Sequence, residues 1–257
     1  IVNQMILPWK EHLRKSIQPL KRASEIALKD GDLEMASLIS YFYLSHSFLV
    51  GSPIHALQRE TQSGIEEIES LKQERMLPLA IMLKQVLENF NLTSKEPHKL
   101  HGLYYKEKEM LEVFEKSNDK NLLCTHYLFS AQLSIYFRKY GEALESTHKM
   151  EEYLKAAVST PIIPLYHFYN SLAYLGLYHQ LSRPEQRVAM KKVKANQRKM
   201  KTWAKHAPMN FLHKYLLVEA EKHRVLNNHI KARSFYDKAI DKAYKNQYIQ
   251  EEGLAYE

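Results

Sequence analysis

The chain has 257 residues, a formal charge of +8 and one cysteine, Cys124. A hydrophobic content of 45% excludes a disordered chain, and a lone thiol excludes an internal disulfide or a zinc–thiolate cluster. Seven glycines are few for a sheet protein of this length, whereas helices need them mainly at their ends. No apolar run approaches the ~20 residues of a membrane helix, and no signal-peptide pattern is present. A cytoplasmic location is therefore expected. The chain opens on Ile1 and stops at Glu257 inside a continuing helical pattern, which reads as a piece of a longer protein.

Taken in order, Trp9, Leu13, Ile17, Leu20 and Ala23 step by three or four and form one apolar helical stripe. Pro19 sits inside it and is expected to kink or split it. Asp30-Gly31-Asp32 ends the pattern, 33–50 resumes it, and Gly51-Ser52-Pro53 breaks it again. Further helices are predicted at about 54–74, 77–92, 103–117, 120–138, 140–157, 162–180, 184–206, 209–226, 229–245 and from 247 onward. Most connections are short, which forces consecutive helices into antiparallel hairpins. The exception is 91–101, with Pro97, the best place for a longer loop; a looser joint near 91–102 would divide an otherwise single domain over 1–257.

Ala232, Tyr236 and Ala239 have the small-aromatic-small spacing of tetratricopeptide-like helix pairs. The stretches after Gly31 and Gly141, containing Ala36 and Ala143, read the same way. The intervals between Ala36, Ala143 and Ala232 are not multiples of a fixed period. The expected fold is all-α: antiparallel helix hairpins stacked as a divergent tetratricopeptide-like α-solenoid.

No phosphate loop, H-E-x-x-H, G-x-S-x-G or kinase catalytic loop occurs, so no catalytic residue is assigned and no cofactor is expected. Thirteen histidines include His98 and His101, three apart, but no third ligand has convincing spacing, and no metal site is assigned. His126 and His167 stand singly on helices. The acid pairs Glu219/Glu221 and Glu251/Glu252 read as surface ion-pairing partners, with Arg224 three positions after Glu221. Cys124 reads as a small buried hydrophobe.

Two stretches are candidates for binding. Lys191, Lys194, Arg198, Lys201 and Lys205 fall at spacings of 3, 4, 3 and 4, placing five cations on one helix face, with Val193, Met200 and Trp203 elsewhere on it. That face could dock an acidic protein surface or a phosphate backbone; the bland alternative is a solvated helix face. Tyr166, Tyr169 and Asn170 share a face with Ala173 and could hold a peptide or small ligand, or simply pack between repeats.

Three stretches carry a family likeness: PLYHFYNSLA at 164–173, then 195–221 beginning ANQRKMKTWA, then FYDKAI at 235–240 with YIQEEGLAYE at 248–257. The chain resembles the helical-repeat region of very large bacterial signalling proteins, in which a serine/threonine-kinase domain and a STAND-type predicted ATPase precede such a region, and GAF and histidine-kinase modules follow. The resemblance implies a non-catalytic regulatory module that senses a partner or ligand and controls neighbouring catalytic domains. Its partners would be domains of the same polypeptide or another protein or peptide, with no membrane involved. It transfers no site residue. A stand-alone peptide receptor of tetratricopeptide type is the second reading. A nucleic-acid-binding repeat using the 191–205 stripe is the third and least favoured, because no known reading module accompanies the cations.

Overall fold

The computed structural model describes residues 2–73, 75–92 and 95–257, and among these there is no strand. The helices are α1 (Ile17–Lys29), α2 (Leu33–Leu49), α3 (Ile54–Ser70), α4 (Leu77–Phe90), α5 (Glu107–Lys116), α6 (Lys120–Tyr136), α7 (Tyr140–Glu151), α8 (Ile162–Leu177), α9 (Arg183–His206), α10 (Pro208–Val225), α11 (His229–Lys245) and α12 (Ile249–Tyr256). The predicted helices are all present, and most of their ends fall within a few residues. The expected end of the third at position 74 lies outside the described residues.

Three boundaries differ for physical reasons. The stripe beginning at Trp9 is not one helix. Leu7–Trp9 and Leu13–Ser16 are separate 3-10 turns, and α1 begins at Ile17, leaving Pro19 in its first turn, where a missing N–H costs nothing. The helix expected from 103 starts at Glu107, because Gly102 N donates to Tyr105 O at 2.9 Å and closes a turn first. Gln85 Oε1 fixes that turn by accepting from Tyr104 N and Tyr105 N. The helix expected over 140–157 ends at Glu151 and gives way to a 3-10 turn, Leu154–Ala157.

The long connection near 91–102 is tied down at its described end. Asn89 Nδ2 donates to Pro97 O and Lys99 O, and Leu100 and Tyr105 are buried.

Five hairpins share one turn. After α1, α5, α6, α10 and α11 a single left-handed residue (Gly31, Asn118, Arg138, Asn227, Gln247) is followed directly by the residue that starts the next helix. The N–H of that second residue returns to a carbonyl five positions earlier, as in Asp119 N to Phe114 O and Asn228 N to His223 O, both within 3.1 Å. This is the Schellman closure. Asp32, Asp119 and Asn228 then use their side chains to cap the next helix. A helix stop fused to a helix start reverses the chain in three residues.

Consecutive helices pack on one another except α4 and α5, and α4, α6, α8 and α10 also touch one another in succession. That inner row explains why α6 and α8 are buried on nearly every side while α9 and α11 keep an exposed face.

The two ends of the chain also meet. His12 Nε2 lies 2.8 Å from Asn246 O, Arg14 Nη2 donates to Val50 O and Gln247 O, and Gln250 Nε2 donates to Leu49 O. Asn210 on α10 holds the N-terminal segment with three bonds, accepting from Leu13 N and donating to Pro8 O and Glu11 O, and accepts a fourth from Tyr248 Oη.

Candidate functional site

The basic stripe lies on α9, the longest helix. Ser182 starts it: the Glu185 carboxylate accepts from Ser182 N at 2.8 Å and from Ser182 Oγ at 2.6 Å, which satisfies the entry and holds that carboxyl below its usual range. Ala189, Val193, Asn196, Gln197, Met200 and Ala204 are buried against the inner helices. Lys191, Lys194, Arg198, Lys201 and Lys205 are all exposed on the opposite side. They span 15 residues, roughly 21 Å of helix axis.

Charge is distributed very unevenly. Within Arg183–His206 there are nine Lys and Arg and one acid, Glu185, out of chain totals of 37 and 29. The remainder of the chain therefore holds 28 of each, and the whole net charge of +8 resides on α9. Arg183 and Arg187, both exposed, carry the stripe back two turns at spacings of four. Counting charge helix by helix is the sequence signal that reveals them.

Among the described residues, none of the five stripe cations lies within ion-pairing distance of an acid; the α9 pair that does form joins Lys192 to Glu151 at 3.9 Å. Like charges at helical spacing repel by ~0.2–0.5 kcal/mol per pair, so the four successive contacts cost about 1–2 kcal/mol. An ordinary solvated helix face intersperses acids and avoids that cost.

The second candidate set lies elsewhere. Tyr166, Tyr169 and Asn170 on α8 are buried, at 4%, 1% and 3% exposure, so they do not form an open ligand-facing surface. Asn170 Nδ2 donates to Thr147 Oγ1 on α7 at 3.0 Å, and Asn196 Nδ2 donates to Asn170 Oδ1 at 2.8 Å and to Ser171 Oγ at 3.1 Å. Asn196 Oδ1 in turn sits 2.8 Å from His167 Nδ1. This chain of amides fixes α7, α8 and α9 in register, because any slip would strand buried polar groups. The packing role weighed in the sequence is what these contacts describe, and the tyrosines and the cations do not meet in one site.

Other singled-out residues are accounted for by packing. His126 is buried with Nδ1 2.9 Å from Tyr105 Oη. Burial pushes His167 down to about 4 and the Cys124 thiol up to about 12. His98 faces Glu142 at 3.5 Å. No group of three or more His, Cys, Asp or Glu suited to a metal occurs among the described residues. Glu221 pairs with Arg224 at 2.6 Å as its spacing suggests, and also accepts from Tyr236 Oη. Two acids correct the reading of surface ion pairs: Glu219 is 8% exposed, accepting from Gln197 Nε2 and pairing with Lys222, and Glu251 is 3% exposed and pairs with the equally buried Lys214 at 2.8 Å. Its neighbour in sequence, Glu252, gives no hint of this. Among the described residues no helix is long and apolar enough to cross a membrane.

No protein-family model, curated protein or solved structure matches the chain.

Proposed function

We propose that this chain is a non-catalytic interaction module, a divergent tetratricopeptide-like α-solenoid that docks an acidic protein surface on α9. The observation that carries the reading is the confinement of the whole net charge to one helix whose five stripe cations lack acidic partners among the described residues. The fused helix-stop and helix-start turns, and the inner row of α4, α6, α8 and α10, support the repeat architecture. An acidic protein is favoured over nucleic acid because the exposed face offers no aromatic platform. Trp203, the one aromatic on α9, packs against Trp9, His167 and Phe211. The sequence resemblance supports a regulatory role in the cytoplasm, with the acidic surface belonging to a neighbouring kinase or STAND-type ATPase domain or to a separate protein.

The test is hydrogen exchange on the intact chain titrated with a glutamate-rich peptide, and separately with mixed-sequence duplex and single-stranded RNA. The reading expects the peptide to slow exchange in α9 without affecting α3 or α5, and parallel acetylation labelling should show the stripe lysines protected. RNA binding at the stripe with no peptide binding would favour the nucleic-acid reading instead.

A further inference from the structure

A cavity of about 310 Å³ lies between α2, α6 and the Leu154–Ala157 turn, with the π turn at Val2–Ile6 along its border. That volume is at the low end of the ~300–1,000 Å³ typical of small-molecule pockets. Tyr41, Leu122, Cys124 and Ala157 give it an apolar lining. Glu34 and Arg75, both exposed and 3.6 Å apart, stand at its border and join α2 to the segment before α4. α9 contributes no lining residue, so nothing here depends on the basic stripe.

Two fully or nearly fully buried polar side chains line the cavity with an atom that has no hydrogen-bond partner among the described residues: His46 Nε2, on a residue at 0% exposure, and Gln4 Oε1, on a residue at 8%. The proton on His46 can be placed. Ser16 Oγ donates its one proton to Leu13 O at 2.6 Å, so it must accept from His46 Nδ1, also at 2.6 Å. A neutral ring protonated at Nδ1 leaves Nε2 as a bare acceptor. Burial pushes this imidazole down to about 4, so the ring is neutral at pH 7. An unpaired buried acceptor costs about 1–3 kcal/mol, and two such atoms around one cavity favour an occupant that satisfies both.

We propose that this cavity is a binding site for a small, largely apolar molecule that presents N–H or O–H donors to His46 Nε2 and Gln4 Oε1. An anion is disfavoured by the same chemistry: both free atoms are acceptors, Asp119 adds a carboxylate to the lining, and Arg75 is already paired with Glu34. A metal ion lacks a ligand set among the described residues.

The test uses matched fragments that differ in one donor: indole against 1-methylindole, phenol against anisole, and aniline against N,N-dimethylaniline. Affinities are measured on the full chain and on each variant by isothermal titration calorimetry, and in the native chain the side-chain nitrogen resonances of His46 are followed as well. Donor-bearing members are expected to bind roughly tenfold more tightly than their methylated partners and to shift the Nε2 signal saturably. His46→Leu should erase that preference while leaving the methylated members unaffected. Gln4→Leu, in the terminal π turn, gives a second variant should His46→Leu not fold, and should reduce the preference. Equal affinity within every pair, no saturable binding by any member, or a preference that survives in both variants would overturn the proposal.

Discussion

Replacing Lys214 by Met tests the central electrostatic feature of the core. The Lys214 ammonium and Glu251 carboxylate are 5% and 3% exposed and 2.8 Å apart, and burial lowers the lysine and raises the glutamate from their ordinary values while each opposes the other's shift. Methionine keeps the stem volume and removes the charge. Glu251 is then left buried and alone, and the cheapest response is to bind a proton. For a carboxyl with an ordinary value of 4.5, carrying that proton at pH 7 costs about 3.4 kcal/mol, at ~1.4 kcal/mol per pH unit. This agrees with the ~3–5 kcal/mol found when one partner of a buried pair is removed. The folded-state value of Glu251 is raised in the variant, so the folded variant holds the extra proton and its deficit shrinks on acidification. Urea unfolding should give a destabilisation of roughly 3 kcal/mol at pH 7 and under about 1 kcal/mol at pH 5. A loss equal at both pH values, or under about 1 kcal/mol at pH 7, would refute the reasoning.

Asn210→Ala removes three hydrogen bonds that tie the N-terminal segment to α10 and a fourth from Tyr248, and is expected to cost about 3–4 kcal/mol and to expose residues 2–16 to limited proteolysis. His167 is neutral and pushed to about 4 in the folded chain, so its contribution is complete above pH 6.5 and is lost as pH falls towards 4. The stability advantage of the native chain over His167→Gln should therefore narrow by ~1.4 kcal/mol per pH unit across that window, read from urea midpoints. Gly176→Ala would drive a methyl group into the Tyr140 ring, and thermal melts should show a loss of about 1–3 kcal/mol that Tyr140→Ala partly relieves.

What could be read from the sequence is local. Apolar spacing located α2, α6, α8, α10 and α11 because a helix is specified by residues three and four apart. Arg138, Asn118 and Asn227 show why helix stops were harder to place. The chain turns most of its hairpins through left-handed residues other than glycine, so glycine marks only two of them, Gly31 and Gly51. The partner of a charged residue is not local. Lys214 and Glu251 are 37 positions apart, and nothing around either one distinguishes it from the many exposed lysines and glutamates. The closure of the chain through His12, Arg14 and Asn210 has the same character. The tyrosines of α8 were visible as a cluster, but only the position of α8 in the inner row determines that they are buried. The α9 cations were legible because spacing alone decides which of them share an outward face.

The most direct measurement of the docking account is the affinity of a fluorescent glutamate-rich peptide, followed by anisotropy over a range of salt concentrations. It is made for the native chain and for the triple variant Lys194→Glu, Arg198→Glu, Lys201→Glu. These side chains are exposed and touch no acid among the described residues, so the variant should fold with stability changed by no more than about 0.5 kcal/mol per site. The account predicts binding that weakens as salt rises in the native chain and is lost in the variant. Peptide binding that is insensitive to salt, or equal in the two proteins, would contradict it.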